Sequence, residues 1–200
     1  MKKHLTRLKA LVFCISLLPF IWLSYALLTD QLGANPIEAV TRDTGLWALR
    51  FILVTLLISP IRKLTGINEF IRFRRMLGLF AFFYASLHML LYIGLDQFFD
   101  VQEIWVDIIK RPFITVGFIS FLLLIPLTIT STDKMIKRLG GRRWKKLHYL
   151  IYLIVVLSSV HFYMLVKQDK TEPLIYLLIV SLLLGFRVVG QRRRHQAAGS

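Results

Sequence analysis

The amino-acid sequence predicts an all-α, integral membrane six-helix bundle with both termini cytoplasmic. Three observations predict it. Of the 200 residues, 56% are hydrophobic, and the mean hydropathy of +0.62 exceeds what a soluble domain of this length usually carries. The apolar residues gather in six runs, each close to the roughly 20 residues a helix needs to cross a bilayer. Short basic clusters separate alternate runs, which is how a membrane protein fixes its sidedness.

The first run, about 11 to 28, follows a basic head containing Lys2, Lys3, Arg7 and Lys9. That pattern is shared with signal peptides, but the apolar body is long and no small-residue cleavage site follows, so it reads as a retained crossing. Further runs lie at about 46 to 61, 76 to 95, 112 to 130, 148 to 166 and 174 to 189, the last somewhat short. Nothing is left over for a soluble domain, so residues 1–200 read as a single transmembrane domain. No repeat or low-complexity linker appears.

Charge gives the direction of each run. With the N-terminus inside, twenty of the 26 basic residues fall on the cytoplasmic side, including Arg62, Lys63, Arg72, Arg74, Arg75 and the cluster from Lys134 to Lys146. Nine of the 11 acids fall outside. The net charge of +15 would suit a nucleic acid partner, yet basic residues confined between apolar runs are topology signals, and no nucleic acid is expected. The single cysteine, Cys14, excludes an internal disulfide and a multi-cysteine metal site.

Five histidines occur. His4 and His195 lie in the basic tails and read as solvated. His88, His148 and His161 lie in the third and fifth runs, where an ionisable side chain is costly and marks function. A lone buried histidine is more often satisfied by a neighbouring hydroxyl or carbonyl. Three of them, with no intramembrane acid to form a proton relay, point towards ligation.

Depth decides which of the three can share a ligand. Thirteen residues of helix put His161 about 20 Å beyond His148, whereas His88, about 18 Å into the third helix, comes to the height of His161 in the outer half. Two imidazoles facing each other across a bundle suit the axial positions of haem iron. Zinc would want a third or fourth protein ligand at that height, and none is evident. An inner haem would need a histidine about 14 residues before His88, where Arg74 stands. His148 is therefore left open between an inner haem with a non-histidine or water partner, a quinone or flavin contact, and a plain interfacial position. It also points about 140° away from His161 around an ideal helix, unless a bend intervenes, for which Ser158 and Ser159 are the candidate places. Arg72, Arg74 and Arg75 are suited to haem propionates, a flavin phosphate or a quinone carbonyl, or simply hold their loop inside. Arg50 stands at the height to pair an outer propionate or to snorkel to the headgroups, and Tyr84 and Tyr92, one turn either side of His88, are placed to line a haem pocket or simply to pack.

Histidines spaced 13 apart on one membrane helix, opposite a histidine on another, resemble the ferric reductase and NADPH oxidase transmembrane domain. The stretches LGANPIEAVTRDTGLWALRFILVTLLISPIRKL, RRMLGLFAFFYASLHML and RPFITVGFISFLLLIPLTITSTDKMIKRLGGRRWKKLHYLIYL, with PLIYLLIV in the sixth run, resemble the MsrQ (YedZ) family. That family is the haem-bearing membrane subunit of the bacterial system that repairs methionine sulfoxide in periplasmic proteins. The resemblance implies a bacterial inner-membrane protein with haem b and FMN, and His88, His148 and His161 as haem-ligand candidates. It implies electrons drawn from the quinone pool or a cytosolic flavin reductase and passed to a periplasmic molybdopterin subunit, MsrP, which carries out sulfoxide reduction. Two departures from the oxidases stand out: this chain has no flavin and nicotinamide domain of its own, and it lacks the fourth histidine. The competing readings are a non-catalytic anchor or assembly factor, and a self-contained ferric reductase-like protein.

Overall fold

A computed structural model describes residues 2–198, with side chains described for 4–189. Lys2, Lys3 and His195, with Arg192, Arg193 and Arg194 of the basic C-terminal tail, lie outside the described side chains. The element order is α1 (Lys2–Leu28), α2 (Pro36–Thr65), a 3-10 segment (Asn68–Phe73), α3 (Arg74–Leu91), a π turn (Tyr92–Asp96), α4 (Val101–Lys110), α5 (Pro112–Ile129), α6 (Asp133–Leu139), α7 (Gly141–Leu147), α8 (Leu150–Leu165) and α9 (Thr171–Ala198). No strand occurs among the described residues. Six helical segments are long and apolar enough to cross a membrane, at His4–Leu28, Pro36–Thr65, Asn68–Asp96, Pro112–Ile129, Gly141–Leu165 and Thr171–Val189. The chain is thus a multi-pass membrane protein.

Local chemistry explains where these helices begin and end. α2 starts at Pro36, ten residues before its apolar run, because Asn35 caps it: the Glu38 N–H donates to Asn35 Oδ1 at 3.3 Å and Asn35 Nδ2 donates back to the Glu38 carboxylate at 2.9 Å. Proline at the first helical position forfeits no bond. α2 stops at Gly66, whose φ of 73° closes a bond from its N–H to Arg62 O, the left-handed cap that glycine adopts without strain. The fifth crossing is interrupted at His148 and Tyr149, between α7 and α8. This corrects the expectation of a bend at Ser158 and Ser159: Ser159 Oγ bonds back to Val155 O at 2.8 Å within a continuous helix, and Ser158 faces Ser120 at 2.7 Å.

α2 runs through the centre of the bundle. Its Leu56, with Tyr84 of α3 and Ile154 and Val155 of α8, is wholly buried, and Phe51 stacks on Tyr84 at 5.3 Å and on Phe80 at 5.6 Å. Between helices in lipid the apolar surroundings offer little driving force, so close packing and hydrogen bonds carry association. Two prolines create partners for such bonds. Pro60 has no N–H to give Leu56 O, and Arg187 Nη2 of α9 supplies it at 2.7 Å. Beside Pro19 in α1, the Tyr84 hydroxyl enters the gap between Ser16 and Phe20, donating to Ser16 O at 2.7 Å and accepting from the Phe20 N–H at 3.0 Å. The outer face of α1, with Leu11, Ile15, Leu18 and Trp22, is exposed, as a lipid-facing surface is.

Candidate functional site

His88 on α3 and His161 on α8 meet with ring centroids 6.1 Å apart and planes at 73°. Each ring is held in the same way. His88 Nδ1 lies 2.8 Å from Thr41 O of α2, and His161 Nδ1 lies 2.7 Å from Phe113 O of α5. A carbonyl only accepts, so Nδ1 carries the proton in both rings, and in the neutral imidazole Nε2 keeps a bare lone pair. A glycine follows each acceptor by one helical turn, and the ring lies in the notch it leaves. A Cβ at Gly45 would stand 3.0 Å from His88 Nδ1, and one at Gly117 would stand 2.8 Å from His161 Nδ1 and Cε1. The two halves of the site are thus built alike: carbonyl, glycine one turn on, imidazole across.

The third histidine is held in the opposite sense. His148 Nε2 lies 3.1 Å from Thr130 Oγ1, whose own proton goes to Pro126 O at 2.6 Å. Thr130 therefore accepts, His148 carries its proton on Nε2, and Nδ1 is the bare nitrogen. The ring stacks on Trp144 at 4.0 Å between centroids, and Trp144 Nε1 donates to Thr130 O at 2.8 Å. His148 borders a cavity of about 290 Å³ near the basic connections, with Arg74, Arg75, Trp144, Tyr152 and Arg187 among its walls. Arg75 pairs with Asp133 at the surface. Arg187 donates to the Tyr152 hydroxyl and lies over its ring, 4.9 Å from the centroid. The structure thus joins His88 to His161 and places His148 with Arg74 and Arg75 at a separate site.

The model of the ferric reductase like transmembrane component family matches residues 44–159. A methionine-sulfoxide reductase haem-binding subunit MsrQ from Herminiimonas arsenicoxydans is 54% identical over 92% of this chain and 86% of its own length. MsrQ subunits from Rhodospirillum rubrum and Caulobacter vibrioides are 52% and 45% identical, over 93% and 94% of this chain and 89% and 90% of theirs. The chain belongs to the MsrQ family. The ferric reductase match takes in His88 and His148 and stops two residues short of His161.

For an MsrQ-family chain the implied group is haem, and the outer pair fits it on three counts. A metal–imidazole bond is about 2 Å long and the ring centroid lies roughly 1 Å behind its nitrogen, so two imidazoles on opposite sides of one metal have centroids about 6 Å apart; the pair stands at 6.1 Å. No group of three or more His, Cys, Asp or Glu gathers among the described residues, so the site offers two ligands, the number an iron already held by a macrocycle needs. Thr41 Oγ1, on the residue whose carbonyl holds His88, is buried without a hydrogen-bond partner among the described residues, a polar atom awaiting a ligand. The remaining sequence candidates have other work. Tyr84 turns to α1, Tyr92 donates to Asp107 at 3.2 Å, and Arg50 is held by Tyr176 at 2.8 Å, Glu172 at 3.8 Å and the Trp47 ring. Sequence reasoning missed Gly45, Gly117, Thr41, Thr130 and Arg187, because each acquires its role from a partner on another helix.

Proposed function

We propose that this MsrQ-family chain is the haem b electron-transfer subunit of a periplasmic methionine sulfoxide reductase system, embedded in the bacterial inner membrane and partnered by MsrP. Residues 1–200 act as one transmembrane domain with both termini cytoplasmic. His88 and His161 would hold the haem iron. The observation that carries this reading is the matched pair of rings, each with Nδ1–H fixed on a backbone carbonyl and Nε2 left bare. Haem supplies one-electron redox chemistry when bound. The protein's contribution is to fix both rings before ligation: the Thr41 and Phe113 carbonyls select the tautomer and raise the basicity of Nε2, and the glycine notches set how deeply each ring sits.

Electrons enter at the inner cavity and leave at the outer end towards MsrP, which performs the sulfoxide reduction. The cavity combines guanidinium groups with aromatic walls and hydroxyls, a lining suited to a flat ring bearing an anionic group. FMN would match that chemistry: Arg74 would hold its phosphate, Trp144 and His148 would flank its ring, and it would relay electrons from the quinone pool or a cytosolic flavin reductase. Ligation of a metal by His148 Nε2 would first require release of Thr130.

The test is a pyridine haemochrome assay with reduced-minus-oxidised spectra on purified protein and on His88→Ala, His148→Ala and His161→Ala. The parent binds b-type haem, His88→Ala and His161→Ala each lose it, and His148→Ala keeps the outer centre. A parent that takes up no haem from excess overturns the reading and leaves a non-catalytic anchor.

A further inference from the structure

The connection between the third and fourth crossings carries a helix that the electron-transfer reading does not use. α4 is capped by Asp100, whose Oδ1 accepts from the N–H groups of Gln102 and Glu103 at 2.9 and 3.1 Å. It is tethered closely at both ends, to the π turn ending at Asp96 and, through Arg111 alone, to α5. Five large apolar side chains here stand 63 to 80% exposed: Phe98, Phe99, Val101, Trp105 and Ile109. Phe98 and Phe99 have φ of 47° and 60°, a region that bulky residues occupy only when their surroundings hold them there.

At 100° per residue the helix has three faces. Ile104, Asp107 and Ile108 face the protein, and Asp107 is 5% exposed. Tyr92, Gln97 and Arg111 hold the Asp107 carboxylate at 3.2, 3.3 and 3.1 Å. Val101, Trp105 and Ile109 share a second face about 100° away, bounded by Gln102, and the charged Glu103 and Lys110 share a third, about 150° from the apolar one. Tethers this short keep α4 at the level where the crossing helices emerge. A helix lying there has one side towards lipid and the other towards water. If the apolar face met water, or a soluble partner, Glu103 and Lys110 would point into hydrocarbon, at a cost of a few kcal/mol per charge.

We propose that α4 is an interfacial anchor: Val101, Trp105 and Ile109, with Phe98 and Phe99, sit among the lipid headgroups and upper acyl chains, and Glu103 and Lys110 face the aqueous side. Tryptophan at such a boundary and a narrow apolar face on a short helix are the marks of this mode. The anchor bears on the histidine pair. Asp107 grips Tyr92, one turn past His88, and Arg111, two residues before the Phe113 carbonyl that holds His161. The bilayer surface thereby steadies the outer ends of both histidine-bearing frames.

The test uses the full chain in nanodiscs of phosphatidylethanolamine and phosphatidylglycerol, with Trp22, Trp47 and Trp144 changed to Phe so that Trp105 alone emits. Lipids brominated high on the acyl chain quench Trp105 and aqueous iodide does not; quenching by iodide with none by bromolipid overturns the proposal. A second measurement leaves the tryptophans in place. In a Cys14→Ser background, a membrane-impermeant maleimide labels Glu103→Cys fully, and labelling is lost at Ile109→Cys. Equal labelling at both positions overturns the proposal, and labelling at Ile109→Cys that is blocked by adding the periplasmic partner assigns the face to protein docking instead.

Discussion

Replacing Gly117 by alanine adds one methyl group to the wall against which His161 rests. The new Cβ would lie 2.8 Å from both Nδ1 and Cε1, so the ring must retreat by about 0.6 Å to reach the 3.4 Å at which ordinary contact begins. Retreat by that amount stretches the 2.7 Å bond from Nδ1 to Phe113 O to about 3.3 Å, the edge of useful hydrogen-bond length. A hydrogen bond of this kind is worth about 1 kcal/mol, and 1.4 kcal/mol is tenfold in affinity; haem affinity should fall several-fold, and further if Nε2 leaves the line to the metal. Helix stability works the other way, because alanine is better than glycine in a helix interior by about 1 kcal/mol. The variant should therefore fold and insert normally. Gly45→Ala meets His88 at 3.0 Å and should show a smaller loss, and Gly78→Ala, whose Cβ meets only Thr55 at 3.9 Å, should show none. The assay is haem titration by absorbance on the three purified variants and the parent, with the low-spin bands of the reduced protein as a second reading. Equal haem affinity and identical spectra in Gly117→Ala and Gly78→Ala would refute the claim that the notch positions the ligand.

Two further substitutions separate packing from ligation. Tyr84→Phe removes the hydroxyl lodged between Ser16 and Phe20 while keeping the ring stacked on Phe51; thermal unfolding in detergent should show a loss of about 1 kcal/mol, with haem content unchanged. Arg187→Met strips Leu56 O of the donor that Pro60 cannot provide, and a buried carbonyl left unpaired costs about 1 to 3 kcal/mol. Arg187→Lys should recover only part of this, since one ammonium does not reproduce the guanidinium's reach to both Leu56 O and the Tyr152 hydroxyl; comparing the melting temperatures of the two variants checks it.

Depth along a helix is a one-dimensional quantity, and that is why it could be read from the sequence. Counting residues from the ends of two apolar runs sufficed to bring His88 level with His161 and to separate His148 from both. What escaped the sequence depends on a second helix or on more than one direction. Gly45 and Gly117 look like any glycine in an apolar run until an imidazole arrives from across the bundle. α4 escaped because a window tuned to roughly 20 apolar residues passes over ten residues whose apolar face covers less than half the circumference. Hydroxyls loosen a helix when they compete for its carbonyls, which is why the sequence points to Ser158 and Ser159 for a break in the fifth crossing. Ser159 does bond to Val155 O, yet the ladder continues around it. At His148 the ladder instead tightens, with Tyr149 N–H donating to Lys146 O at 3.2 Å.

Three imidazoles of one chain thus divide between two tautomers through their acceptors alone. Opposite a main-chain carbonyl, which has no proton to give, the ring must donate from Nδ1, and Nε2 is left as the ligand-ready nitrogen at His88 and His161. Opposite the Thr130 hydroxyl the outcome depends on where that hydroxyl spends its own proton, and Pro126 O decides it, because a carbonyl has two lone pairs and this one accepts both the Thr130 N–H, at 3.1 Å, and Thr130 Oγ1, at 2.6 Å. His148 must then donate from Nε2 and keeps only Nδ1 free, the nitrogen nearer its own backbone. At His88 and His161 the tautomer is set before any ligand arrives, with Nδ1 on a carbonyl and Nε2 bare. The inner histidine is committed to its threonine, and what enters the cavity beside it meets a stacked, hydrogen-bonded ring and a set of guanidinium groups.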